Sequence, residues 1–586
     1  MWQYRKEMKL LKKLYGKIIA AALAAVTMLS ACSVSAFAAQ KQQAVGNIAF
    51  GDVNKDGEVD IDDVTLLQKY LAKYPEVVEL FENDDHIMFA ADFNSDDKVD
   101  INDVTAIQKS IAGYDYEDPY DPGEVDPETP ADIWGHTEPD GTYTIDNIRD
   151  YIVGLDTPVE LEDGTERPLI NFDNAATTPA FTSVMDAVNQ ELLMYGSIGR
   201  GFSQKSNHST DLYNIVRQKV LDFVGASDSK YTCFYVNNTT DGLNKLASAL
   251  IENESDIVLT TRMEHHANDL SWRERCRVVY SEVDEKGRVD YDDMERLLKE
   301  YRVKYVAVTA ASNVTGFVND VHRIARLAHR YGAKIIVDGA QIVAHREFRM
   351  TGGTSYSDID FFVFSAHKMY SPYGGGAVVG KTDLLEKHMP EFYGGGTVKI
   401  VGDYSVTYKD APASYEAGSP NYPGVIGLGK AIDVLSDVGF EDIQQHEYAL
   451  NRRLIDGLRE LGGDNVVVYG DPDDISDKVG VVTFNFKNAN SYLLAQELSK
   501  MGGIATRQGA FCAHPYVWRL MHIPDDTLDQ FDSCGAMNTP GMIRVSFGIY
   551  NTEEEVDEFL RVLPEALAKV TTPDYLKNYG NVRIYY

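Results

Sequence analysis

The stretch "FFVFSAHKMYSPYGGG", residues 361–376, decides the fold. An apolar run of strand length ends in Ser-Ala-His-Lys and then breaks into Pro and glycines. A lysine at the end of a buried strand has two readings. It caps the strand and points to solvent, as most lysines do, or it is held in a pocket, where a desolvated amine can form an imine with a carbonyl ligand. The neighbouring sequence bears on the choice. "DIVLTT", "KYVAVTAA", "KIIVDGA" and "IDFFVFSA" are short apolar runs. Helical patterns such as "VHRIARLAHRYGA", with Gly332 as the stop, lie between them. This alternation predicts an α/β architecture with a mainly parallel sheet across residues 141–586. Ligands of such sheets bind at the carboxyl ends of strands. Ser312 and Asn313, Asp338, and Lys368 all fall at such ends.

The chain has 586 residues, more than one ordinary domain, and 44% of them are hydrophobic. A formal net charge of −35 opposes nucleic-acid binding, which needs a basic surface, and suits a chain that binds divalent cations. Residues 1–38 read as a signal peptide. Lys9, Lys12, Lys13 and Lys17 precede "IIAAALAAVTMLSACSVSAFA", which ends in the small-x-small pattern of signal peptidase. The competing "LSAC" ends at Cys32 and resembles a lipobox, which would place a lipid on Cys32 and the protein on a membrane. Either processing predicts an exported protein, extracellular or at the cell surface. Besides Cys32, only Cys233, Cys276, Cys512 and Cys534 are present, too few for a disulfide scaffold of this size.

Residues 48–114 hold an internal repeat, "GDVNKDGEVDIDDVTLLQKYLAKY" and "ADFNSDDKVDINDVTAIQKSIAGY". Asp52, Asn54, Asp56, Asp60 and Asp63 recur as Asp92, Asn94, Asp96, Asp100 and Asp103, with Glu58 and Lys98 at the position between that contributes its carbonyl. Oxygen ligands at alternate positions, closed by a carboxylate, suit a hard Ca²⁺ ion, one per loop. Gly57 permits the sharp turn in the first loop, and Asp97 stands there in the second. An apolar-periodic helix follows each: Val64, Leu67, Leu71, then Val104, Ile107, Ile111. The pair resembles the type I dockerin family, a small all-α module. The resemblance implies a cohesin-bearing scaffold as partner, read through Ile61, Asp62, Gln68 and Lys69 and through Ile101, Asn102, Gln108 and Lys109. Residues 115–140 are acidic and rich in Pro, and read as an extended linker.

The chemistry of the larger part can be assembled from its residues. A lysine imine to pyridoxal 5′-phosphate needs a carboxylate that keeps the pyridine nitrogen protonated. Asp338 suits that, or it is only a helix cap. The phosphate needs hydroxyls and backbone donors near a helix start, and Thr239 and Thr240 in "NNTTDGLNKLA" offer them, as Ser365 and His367 do beside Lys368. His265 or His266, in "MEHHAND", is placed to stack on the ring.

From "FDNAATTP" (172–179) through "VNNTTDGLN", "MEHHANDLSW", "ASNVTGFVND", "IIVDGAQ", "DFFVFSAHKMYSPYGGGAVVG", "YEAGSPNYPGVIGL", "RQGAFCAHP" and "IRVSFGIYNTEEEVD", the sequence resembles the class V aminotransferase family. Within it, the group II cysteine desulfurases and selenocysteine lyases are the nearest likeness. The resemblance implies the aspartate aminotransferase-like fold, with a smaller C-terminal α/β domain, and a homodimer. It implies that Lys368 carries the cofactor and moves protons at the substrate Cα. Asp338 would pair with the pyridine nitrogen, Gln341 with the phenolic oxygen, and His265 would stack on the ring. Thr239, Thr240, Ser365 and His367 would hold the phosphate, with Ser419 arriving from the partner subunit. Asn313, Arg507 and Arg544 would face the substrate, and the fork of Arg544 suits its carboxylate. Cys512 would take sulfur from L-cysteine as a persulfide and leave alanine, unless it packs as an inert thiol or pairs with Cys534. Other class V chemistry, such as transamination, epimerisation or β-elimination, would need Lys368 and Asp338 but not Cys512. A scaffold-borne binding protein on a degenerate enzyme fold would need none of the set.

Chelation of calcium should collapse the 48–114 repeat. Native mass spectrometry of the full chain, with and without chelator, is expected to show the loss of one calcium ion per loop.

Overall fold

In the computed structural model the described residues are 142–586, except 532, 533 and 581, together with 44–45, 48–49, 53, 59, 61–74, 77–78, 81, 91, 99, 104 and 107. The chain divides into two compact units, 1–129 and 130–586. In the first, a helix spans Ile61–Leu71. Its Val64 and Leu67 join Val53, Val77, Phe81, Ala91, Val104 and Ile107 in one small core. The Tyr70 ring stacks on Phe81 at 4.2 Å. Thus the apolar residues of both repeats meet, as the periodicity predicts. Asp63 is buried. The other proposed calcium ligands, and the signal and linker segments, lie outside the described residues.

The second unit is built on a seven-stranded sheet. Its strands are β1 (Tyr231–Val236), β2 (Ile257–Thr261), β3 (Arg277–Ser281), β4 (Tyr305–Thr309), β5 (Lys334–Asp338), β6 (Phe361–Ser365) and β7 (Gly376–Lys381), in spatial order β1-β7-β6-β5-β4-β2-β3. Only β7 runs against its neighbours. Both faces are covered, so β4 and β6 are buried at every residue, as continuous apolar strands of parallel sheets are. The expected strands therefore appear where the apolar runs placed them, trimmed by a residue or two at their ends.

A second, four-stranded antiparallel sheet holds β8 (Val466–Val468), β9 (Val481–Phe486), β10 (Arg507–Gly509) and β11 (Met542–Ser546), in order β8-β9-β11-β10. Helices from Ser491–Gly502 and Glu553–Val570 pack on it. It is the smaller C-terminal α/β domain.

Two local features set up the strand ends. Helix α1 (Thr239–Leu250) follows β1 and is capped by the Asn238 side chain, which accepts from Asp241 N at 3.0 Å. A Cβ on its Gly242 would meet Val363 of β6 at 2.5 Å, so glycine lets the helix start lie close against the sheet. After β5, a Cβ on Gly339 would meet the Phe362 ring at 2.1 Å. No other residue lets the chain turn there beside Asp338.

Away from the strand ends, Glu447 is fully buried. It accepts from Arg346 at 2.8 Å and from Gly480 N at 3.1 Å, and is bonded to His345. Burial opposes its charge, but His345 and Arg346 hold the carboxyl below its ordinary range. A depressed carboxyl stabilises the fold above its unfolded pKa of about 4.3 and loses that contribution as acid protonates it. Glu447→Gln is therefore expected to cost about 3 kcal/mol at pH 7. Urea unfolding should show the gap from wild type shrinking as the pH falls below about 4.

Candidate active site

Lys368 ends a single 3-10 turn, Ala366–Lys368, directly after β6. Asp338 is the last residue of β5, the neighbouring strand. It is buried, and its Oδ1 accepts from Ala340 N at 2.9 Å. Burial pushes the Asp338 carboxyl up, and the Lys368 charge pulls it back. Burial pulls the Lys368 amine down to about 8, opposed first by Asp338, and Arg544, Cys512 and Asp173 also act on it. Lys368 is half-buried, and Asp338, Arg544, Cys512 and Asp173, from distant parts of the chain, lie near enough to act on its charge.

His265 and His266 lie between β2 and helix α2 (Ala267–Arg273). His265 Nδ1 accepts from Ala267 N at 3.0 Å, which leaves the proton of the neutral ring on Nε2. Burial, then the Lys368 charge, lower its pKa to about 3, so it is a neutral, half-buried ring at physiological pH. Glu264, which precedes the pair, carries no motif in the sequence. It is buried and accepts from Thr261 Oγ1 at 2.6 Å and Asn268 Nδ2 at 2.7 Å. Burial raises its carboxyl to about 8.

The start of α1 faces the end of β6. Thr239 N donates to Ser365 Oγ at 2.7 Å, and the two hydroxyls are 2.6 Å apart. Thr239 is thus spent on Ser365, whereas Thr240 is exposed at the first turn. His367 Nδ1 lies 3.2 Å from Thr177 Oγ1, and burial lowers the ring's pKa to about 4. Exposed Ser419 lines a pocket with Asn237 and Gly374–Gly376, which flank the same strand ends. Helix-start donors and hydroxyls in one place suit a phosphate. Gln341 donates Nε2 to Ala175 O at 2.9 Å and leaves Oε1 buried without a partner among the described residues. A buried amide with one open end is a contact awaiting a ligand. Asp338, Gln341, His265, Lys368 and the helix start together fit pyridoxal 5′-phosphate.

On the other side Arg544, on β11, is almost fully buried. Its Nη1 donates to Asn313 O at 3.0 Å and its Nη2 to Asp173 Oδ1 at 2.9 Å, while Nε is buried and unpartnered among the described residues. Arg507 reaches Asp173 Oδ2 at 3.5 Å. Asp173 was inside the quoted "FDNAATTP", but nothing in its linear context marked it as the carboxylate between two arginines.

Cys512 is exposed and free, and Cys534 is also a free thiol; the disulfide considered between them is not formed. Phe511 and Cys512 both have positive φ, 52° and 55°, a conformation that costs non-glycine residues about 1 kcal/mol or more each. Neighbours hold it in place. Asn313 Nδ2 donates to Phe511 O at 2.7 Å, and His266 N donates to Cys512 O at 2.6 Å. His266 Nε2 in turn accepts from His514 N at 3.3 Å. Asn313, expected to face the substrate, commits its amide nitrogen to the loop that carries the thiol.

Residues 170–559 match the family model described as aminotransferase class-V, and residues 50–112 match the type I dockerin domain. A cysteine desulfurase of Haloferax volcanii is 35% identical over 421 residues, covering 70% of this chain and 92% of that protein. One from Escherichia coli is 32% identical over 431 residues, covering 72% and 97%. Among solved structures, the apo cysteine desulfurase from Thermococcus onnurineus superposes with a TM-score of 0.62 at 29% identity, over 72% of this chain and 98% of that one. The Escherichia coli cysteine desulfurase CsdA superposes at 0.59 and 27% identity, over 73% and 99%.

Asn313→Ala removes the amide that holds the Phe511 carbonyl. The expected result is a loss of about 1 kcal/mol of stability and faster deuterium uptake at residues 510–513, read by exchange mass spectrometry, with uptake at β5 unchanged.

Proposed function

The chain belongs to the class V aminotransferase family through residues 170–559 and carries a type I dockerin module at 50–112, and from that premise we propose that it removes sulfur from L-cysteine through a persulfide on Cys512, leaving alanine. The observation that carries this reading is the convergence of Lys368, Asp338, Arg544 and an exposed thiol on one site. Pyridoxal 5′-phosphate, bound there, supplies an electron sink for the substrate's α-carbon.

The protein's own residues do the rest. Asp338 keeps a proton at the cofactor's ring nitrogen, and its burial at the end of β5 makes a cationic partner there favourable. Arg544 binds the substrate carboxylate, with its unpartnered Nε as the open donor. Lys368, whose amine titrates near 8 in the free protein, takes the proton from Cα and returns one to the product, a task suited to a base poised near the working pH. Neutral His265 offers a flat apolar face. Cys512 Sγ attacks the substrate sulfur. The new S–S bond forms as the Cβ–S bond breaks, the electron pair stays with the carbon skeleton, and protonation of Cβ gives alanine. A thiol of the acceptor then releases the outer sulfur. The strained Phe511–Cys512 turn holds the thiol toward the site before substrate arrives, which saves ordering it at the moment of reaction.

We further propose that the enzyme acts outside the cell, bound to a cohesin-bearing scaffold through the 48–114 module, and as a homodimer. Exposed Leu193, Tyr195, Phe202, Ile400, Val401 and Tyr404 support association with a second copy.

Cys512→Ser should keep the yellow cofactor absorbance and lose sulfide and alanine release from L-cysteine by about 10³-fold or more. Lys368→Ala should lose both colour and release. A coloured Cys512→Ser protein that still releases sulfide would transfer the reading to a class V reaction that does not use the thiol.

A further inference from the structure

The loop that carries Cys512 has a second set of restraints besides Asn313 and His266. β10 and β11 pair Gly509 with Met542. Gly541 lies so close that a Cβ on it would meet the Gly509 Cα at 2.6 Å. Backbone rests on backbone three residues before Cys512, so residues 537–541 set where that loop begins. They are held in turn by two asparagine side chains of the smaller domain. Asn485, on β9, is 1% exposed. Its Nδ2 donates to Gly541 O at 2.9 Å and to Tyr585 O at 3.1 Å, with the Tyr469 hydroxyl farther off at 3.3 Å. Asn490 caps the Ser491–Gly502 helix, and its Nδ2 donates to Met537 O at 2.9 Å and to Arg583 O at 2.7 Å. An amide nitrogen carries two hydrogens, and the shortest bonds place one on each segment. The two side chains thereby stitch residues 537–541 to residues 583–585.

The segments also bond directly. Arg583 N donates to Asn538 Oδ1 at 3.0 Å, and the Tyr585 hydroxyl donates to Asn538 O at 3.1 Å. The Tyr585 ring meets Phe531 edge-on at 5.9 Å. Val582 packs with Met537 on the core of the smaller sheet, and Tyr585 on the larger cluster that holds Ala510, Phe511 and Met542. We propose that Asn538 and Tyr585 are positioning residues of the thiol: residues 582–585 latch the connection between Cys512 and Arg544, and so hold the strained Phe511–Cys512 turn. This rests on the proposed reading of Cys512 as the thiol that takes sulfur. Successive positive-φ residues persist only where their surroundings over-determine them. Without the latch, Gly541 no longer fixes Gly509 and the turn loses an anchor. The thiol must then be ordered at the moment of reaction, which slows that step without weakening substrate binding.

The test pairs exchange mass spectrometry with steady-state sulfide release from L-cysteine, on the full cofactor-loaded chain. Asn538→Ala removes the acceptor for Arg583 N, and Tyr585→Ala removes the hydroxyl and the ring. Each is expected to speed deuterium uptake about fivefold at residues 536–541 and again at 510–513. Uptake at β5 and the yellow absorbance should stay unchanged. The kcat should fall about fivefold, with KM within about twofold of wild type. Asn538→Asp, which keeps the acceptor, should restore wild-type values on both measures. Faster uptake confined to 536–541, with kcat unchanged, overturns the proposal and leaves residues 582–585 a surface prop. An Asn538→Asp protein that behaves as Asn538→Ala does so too. Wild type that releases no sulfide sinks the desulfurase reading instead, and uptake at 510–513 in the two alanine variants then decides the latch by itself.

Discussion

The site depends on a buried carboxyl and a half-buried amine brought to adjacent strand ends. Burial pushes Asp338 toward its protonated form, opposed first by the Ala340 N–H and then by Lys368, and pushes Lys368 toward its free amine, opposed first by Asp338. β5 and β6 run parallel and side by side, so both residues emerge at the same carboxyl edge. Gly339 lets the chain turn away beneath the Phe362 ring. The parallel sheet, with a helix start against its edge, is the device that brings an acid, a base and an anion-binding helix terminus within reach of one ligand.

The second half of the site is imported. β10 and β11 deliver Arg507 and Arg544 on an antiparallel sheet with its own core, and the loop between them carries Cys512. That loop is strained at two successive residues, and the strain is held by groups that belong to the first half: the amide of Asn313 after β4 and the backbone of His266 before α2. The thiol's position is thereby coupled to the loops that line the cofactor region, and the two domains share one site instead of abutting.

Charge sorting runs through the site. His265 and His367 are neutral at physiological pH because burial opposes their protonation beside Lys368. Burial raises the Glu264 carboxyl to about 8, since Thr261 and Asn268 supply only neutral hydrogen bonds against it.

The sequence by itself determined the class of fold and the dockerin-type repeat, and it singled out most of the candidate cofactor residues. Those signals are local: apolar runs of strand length, a 3.6-residue period ending at Gly332, ligand oxygens at alternate positions, and chemistry-bearing residues at strand ends. Strand boundaries moved by a residue or two because hydrogen bonding, not hydropathy, ends a strand. Tertiary structure alone decided the roles that depend on what lies across the site. It separated His265, beside Lys368, from His266, whose backbone N–H bonds the Cys512 loop. It spent Thr239 on Ser365 and the Asn313 amide on Phe511, left Cys512 and Cys534 unjoined, and set Asp173 between two arginines more than 300 residues away in sequence. A hydrogen bond is made by direction and distance in space, and neither is written in the neighbours of a residue along the chain.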